Sequence, residues 1–184
     1  MRRLVVLIAA LVLAACAQAK PPAGGPGGPF QLTDHNGRAV DESLLDGRWT
    51  AVFFGFTHCP DFCPNTLQAL RAAESELGRA ADDLQVVFIS VDPERDTPQS
   101  LKAYVSEETF PEGTIGLTGT PEQVTAVAKA YKAYFRKAGE GEDYLVDHTT
   151  AVYLMNPKGE FVRVLAHGMT PTEMAAQIRD AMRG

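Results

Sequence analysis

Residues 49–64 read WTAVFFGFTHCPDFCP. Trp49 to Phe56 is apolar and β-prone without a charge, the composition of a short central strand buried on both faces. Pro64 marks the opposite boundary. A proline disfavours helical geometry in the residue before it but suits a first helical position. The pattern therefore predicts a helix starting near Pro64, with Cys63 close to its N-cap and Cys59 to Phe62 forming the turn above it. Free N–H groups and the positive helix end stabilise a thiolate there. A thiolate is both a nucleophile and a soft metal ligand.

Outward from this segment, strands and helices alternate. Phe30–Leu32 and Ala39–Val40, around Asn36-Gly37, read as an N-terminal β-hairpin. After the cysteine pair, Leu67, Leu70 and Leu77 are the inward positions of a helix, and Leu84 to Val91 is the next buried strand. Thr97-Pro98 opens a helix to about Val105. Thr114 to Leu117 is a short strand. Thr120-Pro121-Glu122-Gln123 opens a helix extending to about Phe135. Ala151–Asn156, Pro157-Lys158-Gly159 and Glu160–Leu165 read as strand, turn and strand, and Thr170-Pro171 starts the last helix. This order indicates an α/β fold, with a mixed central sheet flanked by helices, of the thioredoxin-like kind.

The first residues have another use. Met1-Arg2-Arg3 is basic, Leu4 to Leu13 is apolar, and Ala14-Ala15 precede Cys16. That is the form of a secretory signal, too short to cross a bilayer as a stable helix. Cys16 sits where a bacterial lipobox places its lipidated cysteine. We therefore expect a signal peptide at 1–15, a lipidated tether at 16–29 rich in Pro and Gly, and a domain at 30–184. The 13 residues 17–29 would reach ~43 Å if fully extended. The formal net charge of −6 becomes more negative once Arg2 and Arg3 leave. An acidic surface argues against nucleic acid and against electrostatic binding to anionic lipid.

Of three cysteines, Cys16 belongs to the anchor, leaving the pair Cys59 and Cys63. A bridge closing so short a loop adds little stability, so the pair is read as chemical. A thioredoxin-type oxidoreductase has two residues between its cysteines; here there are three. The Pro-x-x-x-Thr/Ser-x-x-Cys pattern of a peroxidatic cysteine fails for both. A metal site remains, and it needs a third ligand. His148, in Asp147-His148-Thr149 directly before the strand at Ala151, occupies the position where thioredoxin-like enzymes place a cis-proline facing the cysteine loop. Two thiolates and an imidazole form a soft set suited to Cu(I), with Cu(II) also accessible; three ligands alone leave zinc open. His58 is expected to point away from Cys59. His35 is read as solvated, and His167 as a loop or surface histidine. Asp61 would shape the turn, Asp147 is weighed as an orienting partner of His148 against a plain loop carboxylate, and Tyr131, Tyr134 and Phe135 are read as one packed helical face.

Three segments together resemble the Sco/SenC copper-binding proteins: Gly55 to Pro64, Ile89 to Pro98, and Val146 to Thr149. The resemblance covers about residues 30 to 183. It implies a thioredoxin-like fold, copper held by Cys59, Cys63 and His148, and a part in building the CuA centre of cytochrome c oxidase. It also implies tethering to a membrane, here through lipid. The expected role is a copper metallochaperone, not an enzyme, exported and facing the periplasm or cell exterior. Its partner would be the copper-binding oxidase subunit or another exported copper protein. The competing expectation is a thiol–disulfide oxidoreductase in which Cys59 and Cys63 form a redox disulfide. A sensor acting by protein contact is a third.

Overall fold

The computed structural model describes residues 24–141 and 143–184. The proposed leader, Cys16 and the first part of the tether lie outside them. Nine strands and four α-helices follow in the order β1 (Gln31–Asp34), β2 (Ala39–Asp41), β3 (Trp49–Gly55), α1 (Phe62–Leu77), β4 (Leu84–Ser90), α2 (Pro98–Val105), β5 (Ile115–Thr118), α3 (Pro121–Ala130), β6 (Phe135–Ala138), β7 (Leu145–His148), β8 (Val152–Met155), β9 (Phe161–Leu165) and α4 (Pro171–Arg183). Seven strands form one sheet in the order β2-β1-β5-β4-β3-β8-β9, and β6 pairs only with β7. β3, β4 and β5 run parallel; β8, β9 and the β1–β2 hairpin are antiparallel to their neighbours. The fold is the mixed, helix-flanked thioredoxin-like sheet that the sequence pattern indicates.

Burial explains the apolar runs. Ala51 to Phe54 on β3 and Val87 to Ile89 on β4 are wholly inaccessible, as expected for central parallel strands covered on both faces. Leu67 and Leu70 on α1 are also fully buried. Thr97, Thr120 and Thr170 each accept from a first-turn amide, ahead of Pro98, Pro121 and Pro171 at the first helical positions. These caps place three helix starts within a residue of expectation. Because β3 and β4 are parallel and in register from Trp49 and Leu84 to Gly55 and Ser90, the loops leaving them emerge at one edge of the sheet. That edge carries the cysteines.

Several expectations are corrected. The helix after the cysteine turn starts at Phe62, with Asp61 as N-cap. Pro64 thus lies inside the first turn, where a missing N–H costs nothing because no carbonyl precedes it to bond. The helix opened by Thr120 ends at Ala130, since Lys132 takes a left-handed conformation (φ 55°) that turns the chain. Phe135 therefore begins a strand rather than closing a helix. Tyr131 is fully buried, Tyr134 is exposed and Phe135 is half-buried, so the three share no packed helical face. His35 is half-buried, its Nδ1 accepting from the Gly116 amide at 3.0 Å; it docks the hairpin onto β5. Part of the stretch read as tether also lies on the domain: Gly27 is buried and its N–H donates to the Ala130 carbonyl at 3.0 Å.

The β1–β2 turn is held by Asp34, whose carboxylate accepts from the amides of Asn36 and Arg38, both at 2.8 Å. Burial opposes its charge, but those two donors and the nearby His35 and Arg38 prevail and lower its pKa from the ordinary 3.8. A lowered folded value means the stabilisation is complete above the unfolded pKa and disappears as pH falls through the folded one. Asp34→Ala should therefore cost about 1 kcal/mol at neutral pH, with the gap to wild type closing in acid. Urea unfolding of both proteins across pH checks this; a gap that stays constant to pH ~2 contradicts it.

Candidate metal centre

Cys59 lies in the loop leaving β3, and its N–H donates to the Phe56 carbonyl at 3.1 Å. Cys63 is in the first turn of α1, where amides have no intrahelical partner. One of these, the Cys63 N–H, donates to the Cys59 sulfur at 3.4 Å. The first cysteine thereby takes the part of a capping acceptor for the helix bearing the second. His148 arrives from 85 positions further on, as the last residue of β7, with Nε2 at 3.6 Å from the Cys63 sulfur. Its Nδ1 lies 3.0 Å from the Thr149 carbonyl. Donation there leaves the Nε2 lone pair facing the sulfurs. The rings of Phe53 and Phe56 meet the imidazole edge-on at 6.3 and 5.8 Å between centroids.

The ligand atoms of Cys59, Cys63 and His148 all lie within 4.8 Å of one another. Ions of the zinc and copper class sit ~2.0–2.3 Å from nitrogen and sulfur, so separations of this size suit three donors facing one ion. Both cysteines are free. Cys63 is fully buried, Cys59 is 8% exposed and His148 is half-buried. The group is open on the side of Cys59 and the imidazole.

The two thiols differ in acidity. Cys59 is driven well below the usual thiol range, first by a hydrogen bond from Cys63 and then by the amides of Asp61 and Cys63, against burial. Cys63 is driven strongly upward because it donates to Cys59, is buried and lies beside the Cys59 charge. At neutral pH the pair thus holds one proton, as a Cys63 thiol bonded to a Cys59 thiolate. The arrangement offers a ready nucleophile or first metal ligand, and a second sulfur that must lose a proton to bind.

Beneath the cysteine loop lies a device that sequence reasoning missed. Asp96 is fully buried, and its two oxygens accept from the Thr57 amide (3.0 Å), the Thr57 hydroxyl (2.6 Å) and the Ser90 hydroxyl (2.6 Å). The loop after β4 therefore holds the residue two places before Cys59. Two aspartates just beyond a buried strand parallel to β3 were the available signal. Burial raises the Asp96 pKa against the pull of these donors.

The other candidates separate. His58 is outside the sulfur group; its Nδ1 lies 3.1 Å from the Thr57 hydroxyl and 3.9 Å from Asp96. His58, Asp92 and Asp96 lie close together, but Asp96 is occupied as described and Asp92 by Arg95 and Tyr144. Asp147 pairs with Arg136 at 3.0 Å on the surface and does not orient His148. Asp61 accepts from the Asn65 side chain and shapes the turn. His167 is exposed, with its ring against Phe62.

Known proteins share this architecture. The SCO1/SenC family profile matches residues 18–183. The human protein named "Protein SCO1 homolog, mitochondrial" is 44% identical over 162 residues, covering 85% of this chain and 53% of its own length. The chain spans about half the length of the curated relatives it matches. The solved structure of Arabidopsis thaliana ScoI with copper bound superposes with a TM-score of 0.81 at 43% identity, covering 85% of this chain and 98% of that one. A SCO1/SenC family lipoprotein from Bacillus anthracis gives a TM-score of 0.70 at 29% identity, covering 90% and 98%.

Removing the Asp96 carboxylate leaves the Thr57 amide and the Thr57 and Ser90 hydroxyls without their acceptor. Asp96→Ala should therefore destabilise the domain by about 2–3 kcal/mol, read by chemical denaturation. A loss below ~0.5 kcal/mol, the scatter of ordinary surface changes, contradicts the assignment.

Proposed function

This chain belongs to the SCO1/SenC family, and from that premise we propose that it is a copper metallochaperone. It holds one copper ion on Cys59, Cys63 and His148 and passes it to the CuA centre of cytochrome c oxidase during assembly. The observation that carries the reading is the convergence of two sulfurs and one imidazole nitrogen within 4.8 Å. The structure of a relative 43% identical, described with copper bound, supports it. Soft sulfur donors with an imidazole suit Cu(I) and admit Cu(II).

The residues divide the work. The Cys59 thiolate receives the incoming ion, because it is already deprotonated and faces the open side. Cys63 then releases its proton to solvent and becomes the buried ligand. His148 closes the set from the hairpin. On delivery a donor of the partner enters on the open side, and the imidazole and Cys59 depart before the buried sulfur. The copper ion is cargo and no substrate is turned over, so the protein is not an enzyme.

The same proposal covers placement. Residues 1–15 act as a signal peptide, and Cys16 carries the lipid of a tether whose last part, at Gly27, docks on the copper-binding domain at 30–184. The chain is exported and membrane-anchored, facing the periplasm or cell exterior. A relative named as a lipoprotein supports this. Among the described residues no helix is long and apolar enough to cross a membrane.

A second reading has its own observation: two free cysteines whose sulfurs lie within 4.8 Å, the first of them accepting from the amide of the second. That pair is also equipped for thiol–disulfide exchange. His148→Ala separates the two, since exchange needs only the sulfurs.

Chelator-competition titration with thiols kept reduced should give one Cu(I) per chain. Cys59→Ser should weaken binding more than 100-fold, beyond the ~10–100-fold typical of losing an outer partner. Equal binding by that variant rejects the site. Because Cys63 is protonated at neutrality, uptake should release about one proton, and the affinity should rise ~10-fold per pH unit between pH 6 and 8. An affinity independent of pH contradicts the shared-proton picture. His148→Ala should lose copper delivery to an apo-oxidase fragment but keep exchange with a small disulfide; retention of full delivery overturns the chaperone mechanism.

A further inference from the structure

The imidazole is carried on a hairpin that has no ladder to the main sheet. A gap of about 130 Å³ lies between that hairpin and the body, lined by Val91, Pro93, Val124, Phe135, Tyr144 and Val146 among others. The hairpin is therefore not close-packed onto the domain along its length. What crosses the gap is concentrated at Tyr144, one residue before β7. Its side chain is buried, and its hydroxyl donates to Asp92 Oδ1 at 2.6 Å. The Arg95 guanidinium carbon lies 3.6 Å and the Lys137 ammonium 3.7 Å from its ring centroid. Arg95 also bonds Asp92 at 2.5 Å, and Lys137 pairs with Glu94 at 3.2 Å.

All of these partners except Lys137 belong to residues 92–95, the beginning of the loop whose end is Asp96. Asp96 holds Thr57, two residues before Cys59. Arg95 reaches further, with its guanidinium 5.9 Å from the ring of Phe56, which in turn packs on His148. One five-residue loop thus grips the cysteine turn at one end and the histidine hairpin at the other.

We propose that Asp92–Asp96 is a bracket that sets the separation between the sulfurs and the imidazole, and that Tyr144 is the positioning residue through which it holds the hairpin. This rests on the copper reading for its consequence, but the holding itself is a property of the metal-free chain. The Tyr144 ring lies against the largely covered Arg95 and the half-exposed Lys137, cations that an aromatic face attracts, and its hydroxyl adds a charge-assisted bond to a buried carboxylate. With the bracket engaged, His148 waits within reach of Cys63. Released, the hairpin is free to move into the gap and carry the nitrogen away from both sulfurs.

The test uses Tyr144→Leu and Tyr144→Phe in the whole chain, the second keeping the ring and its cations while removing only the hydroxyl. Amide hydrogen exchange of the metal-free, reduced proteins should show β6 and β7 exchanging at least ~10-fold faster in Tyr144→Leu, with β8 and β9 unchanged. Tyr144→Phe should recover most of that protection. Cu(I) release to a chelator should accelerate in the same order, by about 10-fold and about 3-fold, the range for partners outside the ligand set. Hairpin exchange that does not change overturns the bracket. So does exchange that accelerates equally throughout the domain, which would make Tyr144 ordinary core, or a freed hairpin with copper release unaltered. Failure of wild type to bind copper would instead overturn the copper reading, and the bracket would stand or fall on the exchange data alone.

Discussion

The site depends on one close approach: the sulfur of Cys63 lies over the bare backbone of Gly55. A methyl group at residue 55 would come within 2.7 Å of that sulfur and of the Phe88 ring. Only a strand ending in glycine lets the first turn of α1 sit this low on the sheet. Sunk there, Cys63 is cut off from water, and its amide caps onto the Cys59 sulfur. Raise it by an ångström and the hydrogen bond, the burial and the reach to His148 all weaken together.

From that seat follows an asymmetry between two chemically identical side chains. Burial in a low-dielectric interior disfavours charge, whereas donors at a helix N-terminus favour it. Cys63 is raised first by donating to Cys59 and then by burial, whereas Cys59 is lowered first by receiving that hydrogen bond and only then by the amides. The pair therefore separates into a thiol and a thiolate without any change of residue type. A transfer site profits from this difference, since Cys59 lies nearer the surface than the fully buried Cys63. The open side holds Cys59 and the imidazole, which are the donors a partner would meet first.

The three donors come from two independent supports. Parallel pairing brings the ends of β3 and β4 to one edge, so the loops that follow them touch. The hairpin bearing His148 has no place in that sheet and reaches the site through side chains. Polar groups do the joining: a buried carboxylate beneath Thr57, and a tyrosine hydroxyl on Asp92. Such networks are effective only when every member is satisfied, and here Asp96 has three donors for its two oxygens.

The amino-acid sequence by itself determined the order of elements other than β6 and β7, the buried strands and three capped helix starts, and it singled out Cys59, Cys63 and His148, which the structure brings together. Those features are local: hydrophobic period, a threonine before a proline, a cysteine at a strand-to-helix boundary. It misjudged Lys132 to Phe135, because a left-handed residue is invisible to a helical pattern and the strand beyond it, Phe135-Arg136-Lys137-Ala138, is too polar to show a period. It took His35 for a solvated side chain and residues 24–29 for free tether, because the carbonyls and amides that engage them lie some eighty to a hundred positions away. Only the tertiary structure decided that Asp96 belongs under Thr57 and Tyr144 beside Arg95. Each of these is set by burial and by partners distant in the chain, and neither is encoded in the spacing of neighbouring residues.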